Sequence, residues 1–470
     1  MQGLQEVALT EMRDKAFPSF AIVVVDRDRV LAEVVVGQRV PGLGEPAGPE
    51  DLYRTGSVGK TITDLAVMAA VEAGQLDLDA DIRSYLPGFA PINPGESPIT
   101  LRLLMTHESG LVREPPVGNY FDDSGPSLQE TVESLNGTSL VWEPGSRTKY
   151  SNAGLAVVGR VLEVVNDQPF PELIDSVVFR PAGMTTARVG LAGIPPETLV
   201  SGVMWQPDGT QWDAPIFDFG MSPAGDFYAS SRDMAALMRT LLSRDGRIVS
   251  GSTLDRMWSP ASGPPREEWQ LDVGLGFSLN GRWDRQHKMA RHGGAVYGFS
   301  SELALLPEES LGVFAVAGKS TSGGSVRAVA HWALRAALAD REGRGPPPYE
   351  LTERPFEDLL EERNACSLDS ENPQWAHLVG WYGWDHNPLL ICEKDGILHA
   401  LIEWFYLYPL DEAGESSFAF PSWALYGQEV IRFVGDGERA EAAVVGHGST
   451  GVRFPRREGQ GERMPLPIPR

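Results

Sequence analysis

Cysteine is nearly absent: Cys366 and Cys392 are the only two in 470 residues. Neither sits in a Cys-x-x-Cys pair, so no structural zinc site is implied. Both lie late in the chain, so the long segment before them needs no disulfide. Whether the two pair with each other is a question of geometry that the sequence leaves open. Basic residues are also in deficit. Forty Lys and Arg stand against 64 Asp and Glu, a formal charge of −24. This argues against a nucleic-acid or anionic-membrane partner, because phosphate binding needs clustered cations. Its plain meaning is a soluble, self-repelling surface. No apolar run reaches the roughly 18 residues of a membrane-spanning helix. The start, Met1-Gln2-Gly3-Leu4-Gln5-Glu6, has no basic segment followed by an apolar one and does not read as a secretory leader. The compartment stays open between cytoplasm and export.

What is present suggests two or more domains. Residues 4–16 read as a polar surface helix. The runs 21–25 and 30–36 are β-rich and almost wholly apolar, as central strands covered on both faces are. Asp26-Arg27-Asp28-Arg29 between them reads as a hairpin turn. From Val58 to Gly74 the apolar spacing becomes helical. Residues 153–165, 231–242 and 326–338 read as further helices, and 190–225 as Gly- and Pro-rich loop. Strands are expected at 274–279, 301–306 and 312–317. After Arg344-Gly345-Pro346-Pro347-Pro348, a stiff linker, short aromatic-rich runs suggest a small antiparallel barrel or sandwich. The expected class is α+β: an antiparallel sheet flanked by helices with a helical subdomain (1–341), a linker (342–355), a small all-β barrel (356–455) and a loose tail (456–470).

Three short motifs carry chemistry. Ser57-Val58-Gly59-Lys60 opens a helix, where positions i and i+3 share a face and Lys60 points back at Ser57. A helix start also exposes free N–H groups and a positive dipole end, which favour the anion formed when a carbonyl is attacked. By itself the tetrapeptide equally describes a helix-capping serine and a surface lysine. A second match, Ser146-Arg147-Thr148-Lys149, follows a Glu-Pro-Gly turn and has no helical register, so it reads as accidental. Tyr150-Ser151-Asn152 supplies a phenol and an amide. Near ammonium charges, Tyr150 is expected to have a lowered pKa and to shuttle the serine proton, while Asn152 fixes a substrate carbonyl. The bland alternative is a buried tyrosine at a helix start. His292-Gly293-Gly294-Ala295 sits just before an expected strand. Its glycines allow close backbone approach, and the N–H groups of Ala295 and Ser57 could form an oxyanion hole. The alternative is a surface turn histidine.

In this order the motifs resemble those of the serine β-lactamase and penicillin-binding-protein superfamily. The words Leu103-Leu104-Met105-Thr106-His107-Glu108-Ser109-Gly110-Leu111 and Glu143-Pro144-Gly145 add to the likeness, which covers about residues 5–340. Tyr-x-Asn in the second motif resembles the class C β-lactamase branch, with its carboxylesterases, D-amino-acid peptidases and D-alanyl-D-alanine carboxypeptidases. The C-terminal part looks like the lipocalin-like barrel of some of these peptidases and of related peptide cyclases. The resemblance implies Ser57 as nucleophile, Lys60 and Tyr150 as its base network, and Asn152 as substrate-orienting group. It puts His292 and Gly294 where Lys-Thr-Gly would stand.

That last departure matters. A lysine is a fixed cation for a substrate carboxylate, whereas histidine is charged only below about pH 6.5. Ester or peptide hydrolysis is therefore expected over β-lactam hydrolysis. Ala224-Gly225-Asp226-Phe227-Tyr228 also departs from the family wording and is expected to reshape one cleft wall. The resulting expectation is a serine hydrolase without metal or cofactor, acting on a small molecule or short peptide through an acyl-enzyme, with its oligomeric state open. β-Lactamase, acyltransferase or cyclase activity on the same site, and a non-catalytic binding role, remain alternatives.

Overall fold

Strand Ser19–Asp26 serves two cores at once. Successive strand residues face opposite sides, so Ala21, Val23 and Val25 enter one apolar cluster while Phe20, Ile22 and Val24 enter another. All six are fully buried, each contributing about 1.5–3 kcal/mol for the larger side chains. The computed structural model describes residues 3–205, 211–261, 272–279, 286–352, 366–370, 372–403, 406–435 and 439–457.

The strand belongs to a seven-stranded antiparallel sheet. Its order is Val30–Gly37, Ser19–Asp26, Leu311–Ala317, Phe299–Leu306, Ala290–Val296, Ser278–Leu279 and Asp272–Val273. Helices Leu4–Asp14 and Gly323–Arg341 cover one face. The other face carries the helical layer, including Gly59–Glu72, Asn152–Asn166 and Ser231–Ser243. Helix Gly59–Glu72 is buried on nearly every side, as a helix enclosed between sheet and subdomain must be. Among the described residues no helix is long and apolar enough to cross a membrane.

Four expectations are corrected. Val30–Gly37 is an edge strand with exposed and half-buried positions, not a central one, because a run of valines is compatible with either. The 4–16 helix is not purely superficial, since Leu4, Val7, Ala8 and Glu11 are buried. Within 274–279 only Ser278–Leu279 is strand. The loop expected at 190–225 contains a small hairpin, Val203–Trp205 with Gln211–Asp213.

Among the described residues the C-terminal region is all-β but does not close into a barrel. It folds as two antiparallel sheets of four and five strands, from Gly380–Trp384 to Val452–Pro455. One isolated bridge, Tyr382 to Arg456, links the last strand to the first. Cys366 and Cys392 are disulfide-bonded, with Cα atoms 5.6 Å apart. Parts of the expected linker (353–355), barrel (356–365) and tail (458–470) lie outside the described residues.

The position of helix Gly59–Glu72 is tightly determined. A Cβ on Gly59 would meet the Phe227 ring at 2.1 Å, whereas one on Gly88 meets nothing within 4 Å. Gly59→Ala is expected to destabilise the protein by about 1–3 kcal/mol. Gly88→Ala should stay within about 0.5 kcal/mol of wild type. Urea unfolding midpoints of the two variants check both.

Candidate active site

Ser57 sits in the tight turn Gly56–Val58 that leads into helix Gly59–Glu72, and it makes no capping bond. Lys60, one turn on, is not a surface residue: it is 1% exposed. Its ammonium donates to Ser57 Oγ at 3.0 Å and to Asn152 Oδ1 at 2.8 Å, and it also donates to the Ala224 carbonyl. Burial, with the Arg113 charge second, lowers the Lys60 pKa to about 7. Three separate stretches of sequence therefore converge on one nitrogen.

The helix Asn152–Asn166 positions the second stretch. Ser151 is its N-cap, accepting from the Gly154 N–H at 2.9 Å and donating to the Val112 carbonyl at 2.6 Å. Such caps contribute about 1 kcal/mol. The cap leaves Tyr150 and Asn152 on either side of it, both turned to Lys60. The ammonium lies 4.9 Å from the centre of the Tyr150 ring, which puts the phenol in the same cluster as Ser57 and Lys60. The expected lowering of the Tyr150 pKa is reversed. Burial raises it to about 12, outweighing the lowering influences of Ser57 and the Arg113 charge. Tyr150 thus stays a phenol at neutral pH, and Lys60 is the group that can lose its proton there.

Strand Ala290–Val296 flanks the serine turn on its other side. The segment 292–295 lies within it, not before it. Tyr297 and Gly298 form the two-residue turn to Phe299–Leu306, with Val296 opposite Phe299 and Ala295 opposite Ser300. Alternation of bonded and non-bonded pairs leaves the Ala295 N–H pointing away from that partner strand. Strand Ser278–Leu279 pairs only as far as Ala290 and Arg291, so this edge is open to the serine turn. A Cβ built on Gly56 comes within 3.0 Å of the Ala295 nitrogen, and one on Gly294 would lie 2.1 Å from the Thr55 carbonyl. Small residues on both sides bring turn and strand into contact. His292 faces the same cleft. Burial, then the Lys60 charge, lowers its pKa to about 4, so it is uncharged at neutral pH.

Several residues were not legible as site members. Glu114 accepts from Asn152 Nδ2 at 2.5 Å and from the Tyr120 N–H at 3.1 Å; burial raises its pKa to about 7. His107, inside the flanking word already singled out, packs on Tyr150 with ring centres 4.2 Å apart. Its Nδ1 accepts the Ser151 N–H at 3.2 Å. Lys149, dismissed with the second Ser-x-x-Lys match, is buried and paired with Glu429 at 2.6 Å. Arg113 is paired with Glu403 at 2.8 Å. No local pattern marks these: Arg113 and Lys149 find their carboxylates 290 and 280 residues further on, and Glu114 reaches Asn152 across 38 residues. The Ala224–Tyr228 segment forms a wall: Gly225 packs on Gly56, and Asp226 pairs with buried Arg54 at 3.0 Å.

Comparison with known proteins gives the family and the fold. The chain is 29% identical over 271 residues to beta-lactamase-like protein 2 of Dictyostelium discoideum, covering 55% of this chain and 48% of that one. It is 33% identical over 187 residues to the esterase EstB of Burkholderia gladioli, covering 37% and 47%. The chain thus spans about half the length of these curated relatives. In fold it is similar to the octameric penicillin-binding protein homologue of Pyrococcus abyssi, with a TM-score of 0.64 and 21% identity over 97% of this chain and 100% of that one. Residues 4–338, which hold all three motifs, match the Beta-lactamase family model, and the chain belongs to the beta-lactamase family.

Proposed function

We propose that this protein is a serine hydrolase that forms an acyl-enzyme on Ser57 and acts on uncharged esters or amides. The observation that carries the reading is the buried Lys60, bonded at once to Ser57 and Asn152. Its pKa near 7 makes it a base matched to neutral pH. Neutral Lys60 takes the Ser57 proton as Oγ attacks the carbonyl carbon. The developing oxyanion sits between the N–H groups of Ser57 and Ala295. As the C–O or C–N bond breaks, the leaving group takes a proton from the Lys60–Tyr150 pair. Water, activated by the same pair, then attacks the ester and returns Ser57. Asn152, held by Glu114, orients both Lys60 and the substrate.

The charges around the site support an uncharged acyl donor. Arg113 is committed to Glu403, Lys149 to Glu429, Arg54 to Asp226 and Arg291 to Glu302. His292 carries no charge at neutral pH. A penicillin carboxylate would meet no uncommitted cation among these groups. Likeness to an esterase points the same way.

The test is intact-protein mass after brief exposure to a fluorophosphonate. A single adduct is expected on wild type and none on Ser57→Ala; an unmodified, folded wild type would sink the assignment. Lys60→Ala should slow adduct formation by about 10²–10⁴-fold while the far-UV CD spectrum is kept. The wild-type acylation rate should rise with pH through about 7 and then level off, because ammonium Lys60 cannot accept the proton; stopped-flow p-nitrophenyl ester kinetics from pH 5 to 9 measure this. In the same buffer p-nitrophenyl esters should turn over faster than nitrocefin, read as kcat/KM.

A further inference from the structure

Two carboxylates from the C-terminal sheets reach the serine site, and the chemistry above does not use them. Glu403 follows strand Ile397–Ile402 and is held in the left-handed region, with φ of 54°. Such a conformation in a non-glycine residue persists only where its surroundings enforce it. Its carboxylate accepts Nε and Nη2 of Arg113, each at 2.8 Å, and the Tyr426 hydroxyl at 2.6 Å. Glu429 is 1% exposed. One of its oxygens accepts both the Arg113 backbone N–H at 2.7 Å and Lys149 Nζ at 2.6 Å.

These bonds end on the catalytic arm. The Arg113 guanidinium lies 5.5 Å from the Tyr150 ring centre. The Arg113 carbonyl accepts the N–H groups of Asn152 at 2.8 Å and Ala153 at 3.1 Å. Lys149 immediately precedes Tyr150. The docking that delivers the two acids is apolar and extensive. Phe121 enters the C-terminal core, 5.9 Å from Trp384 and 4.9 Å from Phe454 between ring centres, and the Ser139 N–H donates to the His447 carbonyl at 2.8 Å.

We propose that Glu403 and Glu429 are positioning residues of the serine site. Through Arg113 and Lys149 they hold Tyr150 and Asn152 against Lys60, so the site is complete only with the C-terminal region docked. The inference rests on the acyl-serine reading above. It also has an electrostatic side. The groups facing Lys60 are Asp64 on its own helix, Arg113 and Glu114 after helix Leu101–Met105, His107, Tyr150, His292 and Glu403. Arg113 disfavours the ammonium form and Glu403 favours it. Removing the Glu403 charge takes away one of the carboxylates that offset Arg113, leaving Glu114, 3.8 Å from it.

The experiment measures fluorophosphonate labelling rates of the full-length protein from pH 5 to 9. In Glu403→Gln the rising limb should move to lower pH by about half a unit or more, because the Lys60 ammonium has lost a favourable charge. Adding Arg113→Gln to that variant should return the limb towards wild type, because the charge that disfavours the Lys60 ammonium is then gone as well. A purely structural role would reduce the labelled fraction without moving the limb, and that result overturns the proposal. If Glu403→Gln does not fold by CD, Glu403→Asp is read in its place; it keeps the charge but withdraws it by one methylene, and a smaller shift in the same direction is required. An unmoved limb on labelled wild type and variant sinks this inference alone. No adduct on wild type sinks the acyl-serine reading and this inference together.

Discussion

A buried ammonium must be surrounded by acceptors, and Lys60 organises the site around that requirement. Taking a charged amine out of water is expensive unless hydrogen bonds replace the lost hydration. Lys60 finds three acceptors: its own Ser57, Asn152 at the start of helix Asn152–Asn166 and the Ala224 carbonyl from the short helical turn Ser222–Ala224. Each belongs to a different part of the chain, so the lysine cannot be satisfied until the tertiary structure forms. The same burial lowers its pKa to about 7. Stability cost and chemical usefulness thus have one origin.

Close backbone approach is the second constraint. The serine turn, the Ala290–Val296 strand and the Ala224–Tyr228 wall meet at separations that leave no room for side chains. Gly56, Gly225 and Gly294 stand at the contacts. The Ser301 hydroxyl donates to the Thr55 carbonyl at 2.7 Å, pinning the strand pair to the turn from below. With turn and strand joined this closely, the Ala295 nitrogen comes against Gly56, next to Ser57. The sheet therefore acts as a rigid edge against which the helical layer presents its serine, as expected when precise geometry rests on regular elements.

Electrostatics ties the C-terminal sheets to this arrangement. The pairs Arg113–Glu403 and Lys149–Glu429 are almost fully excluded from water. In such surroundings a paired charge holds its neighbour firmly, and an unpaired one is costly. Tyr150 packs on Arg113 and His107, and Arg113 is held in turn by Glu403 and Glu429, so its orientation depends on groups from both halves of the chain. The strongly negative overall charge is not reflected here, since cations and carboxylates inside the site are matched one to one in these pairs.

Local pattern and order made much of the protein legible. Apolar runs located strands Ser19–Asp26, Phe299–Leu306 and Leu311–Ala317, the first rich in valine, and helical spacing located Gly59–Glu72 and Asn152–Asn166, because those signals depend on near neighbours. Lys60 could be placed beside Ser57 for the same reason, since i and i+3 meet within one turn. The edge position of Val30–Gly37 was not legible, because an apolar run looks alike at an edge and in a centre. Nor was the direction of the Tyr150 shift, which burial decides against nearby charge. Glu114, Arg113, Lys149, Glu403 and Glu429 carry no local signature, as each gains its meaning from a partner far along the chain. The sequence by itself determined the elements and the residue types that could react. Tertiary structure alone decided which charges are buried, which are paired and which proton is free to move, because desolvation and pairing are properties of the assembled surroundings.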